Sequence, residues 1–169
     1  IGFDHLVDLG INTVHLMPVQ EYLHYSNEEW QEAFKNDPYM IDQGVNLENY
    51  QWGYRTSHAF AIESRYRVKG EDWGSQNKDF RDLVQVFHDK GIAVIVDLVF
   101  NHSAEKMDAR MMYFNFAAID VPYFYRTDDK FDFIGEYGTE TKSEERPIMQ
   151  RWIIEQCTDL IEQYGIDGF

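Results

Sequence analysis

The chain has 169 residues, 44% hydrophobic and 27% charged, enough to bury a core. A formal net charge of −15 opposes binding to nucleic-acid phosphates, which draws on Lys and Arg. No run reaches the roughly 18–20 apolar residues of a membrane span, and a lone Cys157 excludes an intrachain disulfide.

Ile1 opens directly in a helical pattern, so the sequence reads as a segment of a longer chain. Apolar residues at Phe3, Leu6, Val7 and Leu9, followed by Gly10, predict a helix tail with a glycine stop. Ile11 to Met17 then predicts a short strand closed by Pro18. The stretch from Val19 to Gln76 is too long for a plain connector. Its first part, Tyr22 to Asn49, is acidic and predicts an exposed excursion. Its second part carries the aromatic cluster Tyr50-Gln-Trp-Gly-Tyr54, bent by a glycine. Packing inside the loop would account for that cluster. So would a ring face for the C–H surface of a sugar, with the phenol bonding a hydroxyl.

A second helix is predicted from Asp79 to Lys90, with Phe80, Leu83, Val84 and Phe87 on one face and Asn77 or Asp79 at its cap. Gly91 ends it. Ile92 to Phe100 is then almost wholly apolar, the pattern of a parallel strand buried on both faces, and stops at Asn101 and His102. The C-terminal edge of such strands is where α/β folds place their chemistry. There a histidine can cap the edge or bond a loop carbonyl, or, as a neutral imidazole, donate to a hydroxyl, and an Asn carbonyl can serve a hard cation such as calcium. Asp97, inside the strand, requires a partner, because an unpaired buried carboxylate costs several kcal/mol.

Residues 103–145 are rich in Phe, Tyr and Asp and read as a small irregular insertion. The acidic residues Asp128, Asp129 and Asp132 lack calcium-loop spacing and read as solvated. Pro147 then starts a third helix, with Met149, Trp152, Ile153, Cys157, Leu160, Ile161 and Tyr164 in its stripe. Gly165 stops it and Ile166 begins a strand. Gly-Ile thus recurs at 10, 91 and 165, each time between a helix and a strand. A bare strand–helix–strand unit needs only about 30 residues, so each repeat carries a long insertion on one sheet edge. The organisation is a parallel α/β fold in three parts: 1–102, the insertion 103–145, and 146–169.

Asp97-Leu-Val-Phe-Asn-His102 resembles the first conserved region of the α-amylase family of glycoside hydrolases, D-x-V-x-N-H. Gly165-Ile-Asp-Gly-Phe169 is similar to the beginning of that family's second region, G-x-D-G-F-R-x-D. The aromatic stretch looks most like the Asn-Trp-Gly-Tyr-Asp-Pro of the pullulanase and isoamylase branch, with Gln51 for the Asn and Arg55-Thr56 for the Asp-Pro. Glu140 and Glu145-Arg-Pro147 resemble the same debranching and branching group.

The resemblance implies part of a (β/α)8 TIM barrel, about strands 2 to 4, with a B-domain-like insertion after the third strand. It implies retaining cleavage of α-1,4 or α-1,6 bonds in α-glucans such as starch, glycogen or pullulan. It places Tyr54 against the sugar at the cleavage subsite, His102 on that sugar's hydroxyls and Trp52 beside them. Asp97 and Asp167 become structural residues near the site, Asp97 pairing with the family's arginine. No cofactor is required, and Asn101 is a calcium ligand in many members. None of the catalytic carboxylates lies within the chain; they are expected beyond Phe169. Rival readings are a branching enzyme of the same family, transferring to a sugar instead of water, and a non-catalytic glucan-binding protein on the same barrel.

Overall fold

The computed structural model describes residues 2–47, 49, 52–104, 116–135 and 138–169. Tyr50 and Gln51, from the aromatic cluster, lie outside the described residues.

The first helix, α1 (Phe3–Asp8), ends before Gly10, whose φ of 69° turns the chain into β1 (Thr13–Leu16). Helix α4 (Ser75–His88) repeats the pattern and leads through Gly91 into β4 (Ala93–Val96). Helix α6 (Pro147–Tyr164) repeats it again, with Pro147 in its first turn and Gly165 closing it at φ 72°. Both features match the sequence: proline costs nothing where no backbone bond is needed, and glycine takes the left-handed cap without strain.

β1 and β4 are parallel and in register from Thr13–Ala93 to Leu16–Val96. On the other side of β4, Gly168 forms a parallel bridge with Ile95. Asp167 N donates to Val94 O (2.8 Å) and Val96 N to Gly168 O (3.1 Å). All three Gly-Ile starts therefore feed one parallel sheet, with β4 in the middle. Val94 and Val96 are fully buried, while Ala93 and Ile95 are half-buried. The both-face burial expected of this strand is thus complete on one face only.

The core beneath the sheet joins Val14, Val94, Val96 and Ile166 to Phe80, Val84 and Phe87 of α4 and Leu160 and Tyr164 of α6. The Phe80 and Tyr164 rings meet at 5.2 Å, and the Tyr164 hydroxyl donates to Asn77 Oδ1 (3.0 Å). Asn77 is therefore not the cap of α4, nor is Asp79: the helix starts earlier, at Gly74, in the left-handed region at φ 98°. The stripe on α6 splits between two cores. Leu160 and Tyr164 face the sheet, whereas Met149 and Trp152 pack with Phe116, Phe124, Tyr125 and Phe133 of the insertion. There α5 (Phe116–Phe124) is broken by an extended Asp120.

The excursion after β1 is more built than its acidic sequence suggests. β2 (Gln20–Tyr22) pairs antiparallel with β3 (Thr56–Ile62), with irregular register on either side of Glu21. Helix α2 (Asn27–Phe34) opens with a capping box between Ser26 and Glu29, and α3 (Pro38–Asp42) starts from Asp37. Trp30 is buried against Tyr25 and Phe34, at ring distances of 5.8 and 4.5 Å, and its Nε1 donates to Val45 O. A few aromatic rings give this otherwise charged segment its own core, where the polar composition predicted exposure.

Candidate active site

The ends of β1 and β4 meet at one turn. Pro18, fully buried after β1, lies under Gly53. A Cβ at Gly53 would stand 2.8 Å from Pro18 O, and the residue's φ is 87°. Only glycine fits this close approach in a left-handed conformation. The turn therefore projects Trp52 outward, 55% exposed, and brings Tyr54 back over the end of β4.

Tyr54 is held at both ends by the stretch that follows β4. Its hydroxyl donates to Asp97 Oδ2 at 2.6 Å, and its carbonyl oxygen accepts from His102 Nε2 at 2.7 Å. The bond to Asp97 raises the tyrosine's pKa above its ordinary value, with desolvation adding to it. Asp97 N in turn donates to Leu16 O (2.8 Å), so the carboxylate sits on the sheet itself.

His102 is only 6% exposed. Burial lowers its pKa below the usual histidine range, opposed by the bond to Tyr54 and by Glu140. The ring is then neutral near pH 7, and donation to a carbonyl fixes the proton on Nε2. The bare Nδ1 faces the Asn101 side-chain amide, with Oδ1 at 3.2 Å. Turning that amide so that its NH2 faces the ring makes Asn101 the donor of this contact.

The insertion braces this strand end from the other side. Thr141 Oγ1 donates to Phe100 O (2.6 Å), Thr139 Oγ1 donates to Ser103 O (2.7 Å), and Thr141 N donates to Asn101 O (3.0 Å). His102 forms an antiparallel bridge with Glu140, and the Ser103 and Tyr125 hydroxyls meet at 2.9 Å. The Glu140 carboxylate packs so closely on Gly135 that a Cβ there would lie 2.3 Å from its carboxyl carbon.

Of the residues singled out in the sequence, Tyr54, Asp97, Asn101 and His102 come together, with Trp52 in the same turn. Asp167 does not join them. It lies against the start of β4, where its Oδ2 accepts from Val94 N (2.7 Å) and contacts His88 Nε2 at 2.8 Å. The partner that the structure gives Asp97 is the Tyr54 hydroxyl. His102 uses its Nε2 on the backbone carbonyl of Tyr54, the loop-carbonyl bond that its position after the strand allows.

Thr139, Thr141 and Gly135 carry no distinguishing sequence signal, since scattered threonines and glycines read as loop. The buried pair Gln20–Gln156 was equally silent. Its amides meet at 2.9 Å, with Gln20 Nε2 also donating to Ala59 O, and ties β2 and β3 to α6.

Calcium needs six to eight oxygen ligands. Among the described residues, the group whose His and carboxylate ligand atoms come within 4.8 Å is Glu21, His24 and Glu63, on and beside the β2–β3 ribbon. Those carboxylates already serve backbone donors. Glu21 accepts from Ser64 N (2.7 Å), and Glu63 from Tyr22 N (3.2 Å) and Arg65 N (3.0 Å). Burial pushes the Glu63 carboxyl upward and the Tyr22 phenol to about 12.

Residues 2–147 match the family model "Alpha amylase, catalytic domain". Isoamylase 3, chloroplastic, of Oryza sativa subsp. japonica is 34% identical over 170 residues, covering 98% of this chain and 20% of the relative. The glycogen debranching enzyme of Dickeya chrysanthemi is 32% identical, covering 100% and 23%. Among solved structures, a D350A pullulanase of Paenibacillus barengoltzii in complex with maltotriose superposes with a TM-score of 0.75 at 29% identity, covering 100% of this chain and 24% of that one. The type I pullulanase of Bacillus subtilis str. 168, in complex with maltose, superposes with a TM-score of 0.73 at 26% identity, covering 99% and 21%. The chain thus spans about a fifth to a quarter of the length of these relatives.

Proposed function

The chain belongs to the α-amylase catalytic-domain family, and from that premise we propose that it is the part of an α-glucan glycoside hydrolase that presents the sugar at the cleavage subsite. In this reading β1, β4 and the Ile166–Phe169 segment are strands 2, 3 and 4 of an eight-stranded barrel. Residues 103–145 are the insertion after its third strand. The observation that carries the proposal is the doubly held Tyr54, fixed by Asp97 and His102 at the C-terminal edge of a parallel sheet.

Retaining hydrolysis needs two carboxyl groups about 5–5.5 Å apart, one attacking the anomeric carbon and one exchanging protons with the glycosidic oxygen. We assign both to the rest of the barrel. What this chain supplies is position. The ring of Tyr54 offers an apolar face to the C–H side of a glucose unit. With its hydroxyl on Asp97 and its carbonyl on His102, the ring is ordered before substrate arrives, so binding does not have to fix it. Trp52 borders the same subsite, and His102 acts on the sugar through Tyr54 in this conformation.

The isoamylase, debranching-enzyme and pullulanase relatives favour α-1,6 bonds at branch points as the substrate. The full-length protein containing this segment should release reducing ends from pullulan and amylopectin faster than from linear maltooligosaccharides. A folded full-length protein that cleaves no α-glucan overturns the proposal. A preference for linear chains overturns the α-1,6 assignment alone.

A further inference from the structure

We propose a second glucan contact, outside the Tyr54 subsite, on the indole of Trp73. It rests on the α-glucan reading above, because the ligand is another stretch of the same polymer.

Trp73 is 75% exposed, the most exposed of the large apolar side chains described. An exposed indole on a wandering loop would need no explanation, but this one is clamped. The Arg67 guanidinium carbon lies 3.6 Å from the ring centroid, and Arg67 Nη1 donates to Ser64 O at 3.0 Å, so the clamp is itself anchored. Successive bonds from backbone N–H groups tie the loop around the ring. Glu71 N donates to Val68 O (3.1 Å), Ser75 N to Asp72 O (3.1 Å), and Gly74 N to Gln76 Oε1 (2.9 Å). Gly70 and Gly74 make the reversals at φ 99° and 98°. The cation covers one side of the indole, and most of the residue remains open to solvent. A large ring held still while exposed gains little for folding. It suits a ligand that stacks on a flat apolar face and hydrogen-bonds around the edge, as a pyranose does.

Its place in the fold identifies which sugar. Helix α4 runs back along the parallel sheet, and its last residue, His88, contacts Asp167 at the start of the strands. The first turn of α4, and Trp73 just before it, therefore lie towards the strand ends that carry Tyr54 and His102. A glucan chain seated at Tyr54 would continue from that edge of the sheet. Trp73 would take one of its further units, with Arg67, Glu71 and Asp72 available to that unit's hydroxyls.

The test uses the full-length protein and amylopectin as the probe, by retardation in native gels containing the polymer. Trp73→Ala should weaken amylopectin affinity about 3- to 10-fold, the scale of one lost stacking contact. Trp73→Phe should retain part of it. The kcat of Trp73→Ala on the smallest branched oligosaccharide that the enzyme cleaves should be unchanged. Unchanged retardation of Trp73→Ala, beside a wild type that binds and cleaves amylopectin, overturns the proposal and leaves the reading of the Tyr54 site standing. An equal loss of kcat on the smallest substrate also overturns it, because the ring then acts on the fold and not on the polymer. A wild type that neither binds nor cleaves amylopectin overturns both.

Discussion

The Tyr54 hydroxyl and the Asp97 carboxylate, 43 residues apart in sequence, are joined by a 2.6 Å hydrogen bond across the C-terminal edge of the sheet. One partner comes from a glycine turn and the other from the end of the central strand. The bond converts a loop aromatic into a fixed surface. Removing the hydroxyl and removing the ring should then have different consequences. Tyr54→Phe keeps the apolar face and loses only its anchor, while Tyr54→Ala loses both. In the full-length enzyme, kcat/KM on pullulan should fall modestly for the first and by at least about tenfold more for the second, on the scale of a lost stacking and positioning contact. Equal losses would count against stacking.

His102 lies behind Tyr54, with its Nε2 on the tyrosine's carbonyl oxygen. Truncation to Ala leaves the Tyr54 carbonyl without its donor and opens a space at a nearly closed position. kcat/KM should drop, with kcat lowered, because the ring's position matters most as the transition state forms. An unchanged kcat/KM would remove His102 from the site. The imidazole should also titrate below the ordinary histidine value of 6.5, since burial disfavours its charged form. A pKa depressed on folding contributes stability that is present above the unfolded value and lost as pH falls through the folded one. NMR titration of the His102 ring should place its midpoint below that of an exposed histidine. A midpoint above 6.5 would show that the bond to Tyr54 and the Glu140 charge together outweigh desolvation.

Gly53 is the point where the turn cannot change. Alanine there combines a φ of 87° with a Cβ 2.8 Å from Pro18 O. Backbone strain in this region costs about 1–3 kcal/mol for a residue with a side chain. Gly53→Ala should lower the Tm and reduce activity together, since any relief moves Tyr54. A variant with wild-type Tm and activity would show that the turn relaxes freely.

The buried amides of Gln20 and Gln156 make a separate test of the scaffold. Gln156 is fully buried, so replacing it by Leu strands a donor of Gln20 beside an apolar chain. A lost partner at a buried amide costs about 1–3 kcal/mol. Denaturant unfolding of Gln156→Leu should show that loss, and the double variant Gln20→Leu, Gln156→Leu should lose less than the sum of the two singles. Strict additivity would mean that the amides do not act as a pair.

How much of this was legible beforehand follows from the range of each signal. The helix–glycine–strand repeats, the central strand and its Asn-His end are local, and hydrophobic periodicity with glycine and proline punctuation reports them directly. Tyr54, Asp97 and His102 were visible as residues of suitable chemistry, and the resemblance joined them. Their actual bonds were not visible. The His102–Tyr54 contact spans 48 residues and uses a backbone oxygen, which leaves no trace in residue type. The Asp97 carboxylate was expected on an arginine because charge pairs are the usual answer to burial; among the described residues it accepts from a phenol, a partner that residue type did not suggest. The β2–β3 ribbon was missed because its strands are short and bulged, and its fully buried residues include Gln20 and Glu63, which patterning assigns to the surface. The core of the excursion was hidden for a related reason: few rings, led by Trp30, suffice to fold an otherwise charged segment.

Asp167, expected as a structural residue near the site, fastens the end of the sheet where the strands start. Its Oδ2 is shared by Val94 N and His88, so one carboxylate joins the end of α4 to two neighbouring strands. Hydrogen bonding to Val94 N, then to His88, lowers its pKa below the ordinary aspartate value of 3.8. A carboxyl depressed on folding adds stability that is present above the unfolded pKa and lost as pH falls through the folded one. The contribution should therefore be intact near neutrality and disappear at acid pH. Asp167→Asn keeps the shape and can still accept from Val94 N, but it has no charge to lose. The full-length variant should be less stable than wild type at neutral pH, and the difference should shrink as the pH is lowered past 3.8. Thermal unfolding across that range checks it, and a gap in Tm that stays constant down to pH 2 would rule out the ionised bond as its source.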